Sequence, residues 1–422
     1  MISHLRLLTA CLAGLTSLVM AGEDSWELPP LRYSQQEAKD PIAKLAKRLA
    51  QDPSAIPDTN PLGRLRFVLK TLQIDEESQI LVFSKTSKQN DLISPITPRA
   101  IYFSENAYVG YVPGGDIEVI SHDPQLGPVF YLITNGPGLK KVQITRENSE
   151  CFSCHGTART ENVPGVLVRS VYPDETGFPM LEHGSFLTHH DSPIPERWGG
   201  YYVTGKSSLP HLDNRQFDEN LDPNEPGRPP QFKTLEGQID VERYLQPTSD
   251  IVALMVLEHQ TAVLNQLQSA SFQFQRFLWL RKTLDANARA TDATSREHLK
   301  HAARPIVDLL FFKDEAPLGP DGIEGSVAFQ RAYLKRFPKS SDGRSLADFR
   351  LYERIFKYPC STMVYSEAFD HLPKPLRQEV IRQMHEVLTT EPSPENHPQL
   401  SASTRKKIQR ILAETLEDWP KG

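Results

Sequence analysis

The pentapeptide Cys151-Phe152-Ser153-Cys154-His155 constrains this chain more than any other stretch of its sequence. Two thiols separated by two residues and followed directly by an imidazole have the spacing at which c-type haem is attached. The thiols add to the two vinyl groups of one porphyrin edge, and the next side chain then lies under the iron. We therefore expect one covalent haem c, with Cys151 and Cys154 as thioether anchors and His155 as the proximal iron ligand.

Two other chemistries use a Cys-x-x-Cys pair. A structural zinc site requires four Cys or His ligands, and a second cysteine pair is missing, because the whole chain has 4 cysteines. A dithiol redox centre also has this spacing, although residues 143–150 do not resemble a buried strand that leads into a helix. A periplasmic thiol oxidoreductase therefore stays as an alternative to the haem protein.

Residues 1–21 have the pattern of a secretory signal peptide. A short basic start precedes an apolar run from Leu7 to Met20, and small residues end at Ala21. The run is too short to span a bilayer, and no later window is long enough. We expect a periplasmic or secreted protein with no membrane span in the mature chain. Cleavage leaves three cysteines, so Cys360 has no partner once haem holds the other two.

The rest of the pattern predicts an α+β chain. Residues 22–148 combine a wrapping segment with short β-rich runs separated by turn residues, which indicates an N-terminal antiparallel sheet. Residues 149–245 form an irregular haem-binding segment rich in Gly and Pro, and residues 246–422 have the periodicity of an α-helical part. The predicted strands are 80–83, 100–103, 108–112, 117–120 and 129–133, and the predicted helices are 35–50, 63–72, 251–270, 272–284, 295–312, 326–337, 345–357, 375–388 and 401–416.

The second axial ligand decides what such a haem does, because two strong ligands permit electron transfer alone, whereas an open position binds small molecules. His259 is the first candidate, since an imidazole on the apolar face of a helix requires a partner. His190 is the second, because Ser192 and Pro193 beside it predict a helix start. Met180 and His211 are weaker candidates. A core histidine satisfied by a carbonyl is the alternative.

Several residues after the motif are of the types that hold haem propionates through charge-assisted hydrogen bonds. The alternative is that they form surface ion pairs and core aromatics. These residues are Arg169, Arg197, Trp198, Tyr201 and Tyr202.

Six stretches together resemble successive landmarks of a family of bacterial exported proteins that carry a single c-type haem motif. They are residues 81–87, 93–100, 151–155, 196–200, 257–260 and 358–361. The resemblance covers most of the mature chain and implies haem attachment and export, but it supplies no reaction. Family members often have His-Met-Gly-Asn where this chain has His211-Leu212-Asp213-Asn214, so the resemblance implies no sulfur ligand at that point.

Taken together, these patterns predict an exported monohaem cytochrome c that transfers electrons to or from a redox partner protein. A haem enzyme of peroxidase type, or a small-ligand sensor with an open distal site, is the main alternative. Nucleic acid is not expected as a partner, because the formal net charge is −6 at pH 7 and gives no basic surface to attract phosphates.

Overall fold

The computed structural model describes residues 24–57, 60–135, 141–216, 230–391 and 397–420. The signal peptide predicted over residues 1–21 lies outside these ranges. An antiparallel sheet occupies the N-terminal half of the described chain and helices dominate the C-terminal half, which confirms the predicted α+β class. Among the described helices, none combines the length and the apolar character needed to cross a bilayer.

The main sheet has seven antiparallel strands. They are β1 (Ile80–Val82), β2 (Arg99–Phe103), β3 (Ala107–Tyr111), β4 (Ile117–Asp123), β5 (Gly127–Ile133), β6 (Ile144–Arg146) and β9 (Tyr201–Tyr202), in the spatial order β6-β5-β4-β3-β2-β1-β9. The first five confirm the five predicted runs. The other two have three and two residues, too few for an alternating pattern. Two small pairs complete the strands, β7 (Arg169–Val171) with β8 (Ser185–Leu187) and β10 (Lys206–Ser207) with β11 (Ile323–Glu324).

The helices mostly start at side chains that accept hydrogen bonds from the first turn, as Asp40, Asn60 and Asp250 do. They are α1 (Pro41–Gln51), α2 (Pro61–Thr71), α3 (Phe152–His155), α4 (Ile251–Leu284), α5 (Ala293–Leu310), α6 (Val327–Arg336), α7 (Glu367–Asp370), α8 (Lys374–Thr389) and α9 (Ala402–Thr415).

Four of the helix predictions differ from the structure. The helix predicted over 35–50 begins at Pro41, after the capping residue Asp40. The pair expected over 251–270 and 272–284 is the single helix α4, because nothing between them breaks a helix. The helix predicted over 345–357 is wrong, since this segment consists of turns and bends. Local polar groups compete with helical bonding there: the Ser345 N–H donates to the Asp348 carboxylate, and the Lys357 N–H donates to the Asp348 carbonyl.

The two faces of the sheet have different surroundings. On one face, side chains such as Val109 and Val119 pack against Ile42 of α1 and Val68 of α2 in one buried core. On the other face, Phe103 and Tyr108 belong to a second core built around α4. The same face continues beyond α4 as a half-exposed row, in which Ile101, Gly110, Glu118 and Leu132 are neighbours across β2 to β5.

Helix α4 runs through the interior and is buried along most of its first two-thirds. Its polar side chains hold other parts of the chain. Glu258 forms an ion pair with Arg197, Asn265 bonds the backbone of Val166, and the Gln268 amide donates to the Leu126 carbonyl. The predicted α-helical part therefore supports both the sheet and the segment that follows the cysteine motif.

Candidate functional site

The cysteine motif forms α3, a single helical turn that Phe152 anchors to the core. The Phe152 ring packs edge-on against three aromatic rings, with centroid distances of 5.8 Å to Trp26, 5.6 Å to Tyr33 and 5.4 Å to Phe130. With Phe152 turned inward, Cys151 is half-buried and Cys154 is exposed, and both thiols are free. Cys151 thus packs at the edge of the core that holds the turn, and Cys154 faces solvent.

One ring nitrogen of His155 forms a hydrogen bond, and the other has no hydrogen-bond partner among the described residues. Nδ1 lies 2.9 Å from the Gly165 carbonyl oxygen, and the Gly165 N–H donates back to the His155 carbonyl at 2.9 Å. A carbonyl only accepts, so Nδ1 carries the proton and Nε2 keeps its lone pair. Burial lowers the pKa of His155, against the opposing effect of the Gly165 hydrogen bond. This neutral tautomer is the one that can bind a metal through Nε2.

Gly165 is the residue type that this contact requires. A Cβ atom at position 165 would collide with the Asn265 side chain and lie 2.9 Å from Cβ of Thr160. Any larger residue would move the carbonyl that orients His155.

Cys151, Cys154 and His155 all line one cavity of about 540 Å³. That volume is within the roughly 300–1,000 Å³ typical of cofactor sites. Glu118 and Leu132 of the half-exposed row lie in its wall, whereas Ile101 and Gly110 line the smaller cavity described next. Phe178 and Leu181 also line the large cavity, with 59% and 57% of their surface exposed. A second cavity of about 120 Å³ adjoins the first and shares several lining residues with it: Thr86, Arg99, Glu118, Ile120, Cys154, His155 and Arg169.

The two histidines proposed as distal ligands lie together, away from this site. Neither His190 nor His259 lines the two cavities, and both rings are buried. His190 Nε2 is 3.1 Å from the Lys313 carbonyl, His259 Nδ1 is 3.2 Å from His190 Nδ1, and His259 Nε2 is 2.7 Å from Ser361 Oγ.

The Lys313 carbonyl determines every proton position in this chain of bonds. It can only accept, so His190 Nε2 donates and His190 Nδ1 accepts from His259 Nδ1–H; His259 Nε2 then accepts from the Ser361 hydroxyl. Burial lowers the pKa of His190 to about 4 and that of His259 well below its ordinary value, so both rings are neutral. All four ring nitrogens of the two histidines therefore have hydrogen-bond partners. This arrangement agrees with the alternative prediction, in which these are core histidines and not iron ligands.

Some of the residues predicted to hold the haem propionates line the two cavities, and the others lie elsewhere, as do the weaker axial-ligand candidates. Arg169 lines both cavities and Tyr201 lines the smaller one. Arg197 is instead buried in an ion pair with Glu258 at 3.0 Å. The remaining candidates do not line either cavity: Trp198, Tyr202, His211 and Met180.

No histidine or methionine other than His155 lines the two cavities in the described part of the chain. The internal and C-terminal stretches outside that part, residues 58–59, 136–140, 217–229, 392–396 and 421–422, contain neither residue type. A His or Met of the described residues could therefore act as a second axial ligand only if it moved from its place in the fold.

Three residues of the cavity wall were missed by the sequence analysis: Arg99, Gly110 and Glu118. They lie on central strands of the sheet, on the same face, with Gly110 paired to Glu118 and next to Arg99. Charged residues are uncommon inside central strands, so Glu118 in the predicted run 117–120 was a usable signal. Arg99 lies one residue before the predicted run 100–103 and gave no such signal.

The Cys151 thiol does not have the environment of a redox-active cysteine. Burial, and then the nearby charge of Glu147, raises the pKa of Cys151 to about 11, whereas redox-active Cys-x-x-Cys pairs rely on a depressed thiol pKa. Within the described residues, no three or more His, Cys, Asp or Glu side chains are grouped as a metal site. A haem iron does not require such a group, because the porphyrin supplies four ligands and the protein needs to supply only one.

No family model matches this sequence, and comparisons with curated proteins and with solved structures also return no match.

Proposed function

We propose that this protein is an exported c-type haem protein that holds one haem covalently through Cys151 and Cys154, with His155 as the proximal iron ligand. The observation that carries the proposal is the common cavity of these three side chains, beside an imidazole whose Nδ1–H is bound to the Gly165 carbonyl. The residues present fit the group: the cavity has the required size, an apolar rim and a neutral nitrogen ligand. Bound there, haem would supply a redox-active iron.

The reaction depends on the sixth iron position. Of the two functions expected from sequence, the structure favours the haem enzyme or small-ligand sensor over the electron carrier. The electron carrier with two histidine ligands requires His259 or His190, and both are fully bonded elsewhere. We propose instead that the sixth position is open to a small molecule, as in a peroxidase-like enzyme or a ligand sensor. Electron exchange with a partner protein remains compatible with either.

The covalent haem is tested by producing the protein with a c-type maturation system. The intact mass is expected to exceed that of the mature apoprotein by one haem that resists acid extraction, and Cys154→Ala should impair attachment. An apoprotein mass, with two free or disulfide-bonded thiols at Cys151 and Cys154, would contradict the proposal and favour a thiol oxidoreductase.

The open position is tested by the ferric absorption spectrum of the same preparation. We expect a high-spin spectrum and carbon monoxide binding after reduction, with His259→Ala and His190→Ala leaving the spin state unchanged. A low-spin wild type that becomes high-spin in His259→Ala would restore the two-histidine carrier. Circular dichroism on each variant separates a change of ligand from a loss of fold, because both histidines are buried.

A further inference from the structure

An ion pair on the sheet lies in the wall of both cavities. Arg99 of β2 and Glu118 of β4 are joined by a contact of 3.0 Å between Nη1 and Oε2, and their side chains are 17% and 25% exposed. Both residues line the large and the small cavity, together with His155.

Glu118 is held as a carboxylate that only accepts. Its Oε1 accepts from the Ser87 hydroxyl at 2.6 Å and from the Gln89 amide at 3.0 Å, while Oε2 accepts from Arg99. Burial opposes ionisation, but the charge of Arg99 and these donors outweigh it, so the pKa of Glu118 lies below its ordinary value. The ionised Glu118 carboxylate thereby fixes the position of the Arg99 guanidinium.

Arg99 has donor capacity that the protein leaves unused. One of its five N–H groups binds Glu118, and its Nε is buried without a hydrogen-bond partner among the described residues. Gly110 lies directly over the pair: a Cβ atom there would be 3.0 Å from Glu118 Oε2 and 3.6 Å from Arg99 Cδ. The glycine therefore leaves the guanidinium uncovered on the cavity side.

The charge of the surrounding wall favours an anion. The two cavities are lined by five cationic and three anionic side chains, namely Lys85, Lys88, Arg99, Arg159 and Arg169 against Glu118, Glu147 and Glu150. Lys88 is neutralised by its contacts with Glu147 and Glu150. Arg169 makes no ion pair in the described chain, and its Nε donates to Ser185 Oγ at 2.7 Å. Arg99, in contrast, has a carboxylate partner, but the contact with Glu118 uses one N–H group, so other N–H groups of the guanidinium can donate to a negative ligand.

We propose that Arg99, positioned by Glu118, binds small anions in the cavities that it lines together with Cys154 and His155, and that it thereby makes the haem site selective for anionic over neutral ligands. The inference rests on the proposed function. Arg99 could alternatively bind a carboxylate of the haem itself, which is the same chemistry from a different source.

The test is a spectral titration of the haem-loaded protein with azide as the anionic probe and carbon monoxide, after reduction, as the neutral one. Loss of a charge-assisted hydrogen bond predicts about tenfold weaker azide binding in Arg99→Met. Arg99→Lys should fold like the wild type and retain part of the affinity. In Glu118→Gln the removal of a neighbouring negative charge should strengthen azide binding about threefold. Carbon monoxide affinity should change less than twofold in all three.

Arg159→Met is the matched control, because it removes one positive charge from the wall without touching the ion pair. The inference is overturned if Arg99→Met leaves azide affinity unchanged, if carbon monoxide binding falls equally, or if Arg159→Met has the same effect. It is also overturned if Arg99→Met alters the reduction potential and haem retention without changing azide affinity, since Arg99 would then hold a haem carboxylate. A preparation without attached haem would refute the proposed function instead, and mass measurement shows this before any titration.

Discussion

Asn265 holds the backbone of Val166 with both ends of its amide. The Val166 N–H donates to Oδ1 at 2.9 Å, and Nδ2 donates to the Val166 carbonyl at 2.7 Å. Val166 follows Gly165, whose carbonyl binds His155, so a side chain of α4 fixes the peptide that orients the proposed iron ligand. The helical half of the chain therefore positions a group in the haem-binding segment.

Replacing Asn265 by alanine should lower the free energy of unfolding by about 2–4 kcal/mol, because two buried backbone groups lose their partners. Urea unfolding followed by circular dichroism measures the change. Gln273→Ala is the control, since Gln273 is exposed on the same helix and its removal should cost less than about 0.5 kcal/mol. Equal effects of the two substitutions would show that the two hydrogen bonds to Val166 add no stability.

The buried ion pair between Arg197 and Glu258 should be destabilising when broken from one side. Both side chains are at most 1% exposed, so Glu258→Ala leaves an uncompensated guanidinium and should cost about 3–5 kcal/mol. Glu37→Ala, in an exposed pair with Lys47, should have a far smaller effect, because solvent screens such a pair. Chemical denaturation compares the two. A double replacement, Arg197→Met with Glu258→Leu, that is no more stable than Glu258→Ala would contradict this account.

Acid should weaken the fold in a defined pH window through His122. Its two ring nitrogens are buried without partners in the described chain, and burial, together with the nearby His371, lowers the pKa of His122 to about 4. The unfolded chain, with an ordinary pKa of about 6.5, binds more protons between pH 6.5 and 4, so stability falls as pH falls through that window. The loss is about 3 kcal/mol at most. The ring-conserving variant His122→Phe should lose less stability over this window, and an unchanged pH dependence would refute the assignment.

Cys360 should react slowly with alkylating reagents in the native protein. The thiol is fully buried and burial raises its pKa far above the ordinary value, so both access and thiolate content are low. Mass spectrometry after brief iodoacetamide treatment measures labelling, with the same reaction in urea as the control. Rapid native labelling, or a disulfide-linked dimer on a non-reducing gel, would contradict the burial.

The elements with local signals were predictable from sequence. Strands β1 to β5 follow short runs of β-branched and aromatic residues between turns, and caps such as Asp250 mark helix starts. The helix expected over 345–357 failed because Ser345 and Asp348 bond the backbone locally, a contact that periodicity does not reveal.

Only the local part of the candidate site was predictable from sequence. The spacing of Cys151, Cys154 and His155 is local, but the partner of an imidazole depends on residues far along the chain. His259 lies on the expected buried helix, yet its partners are His190, 69 residues away, and Ser361, 102 residues away. Likewise, Arg99 and Glu118 meet through the register of β2 to β4, which one sequence does not specify.

The contact of Trp26 and Tyr33 with Phe152 has a consequence for the order in which the protein matures. In the exported protein that we propose, these two residues would follow the signal peptide and enter the new compartment first, yet they cover a residue more than a hundred positions later that stands between the two proposed haem anchors. Once they close, α3 is pinned and Cys151 is half-buried. Because such distant contacts form late in folding, we expect the two thioether bonds to form on the open chain, and the folded apoprotein to be a slow acceptor of haem.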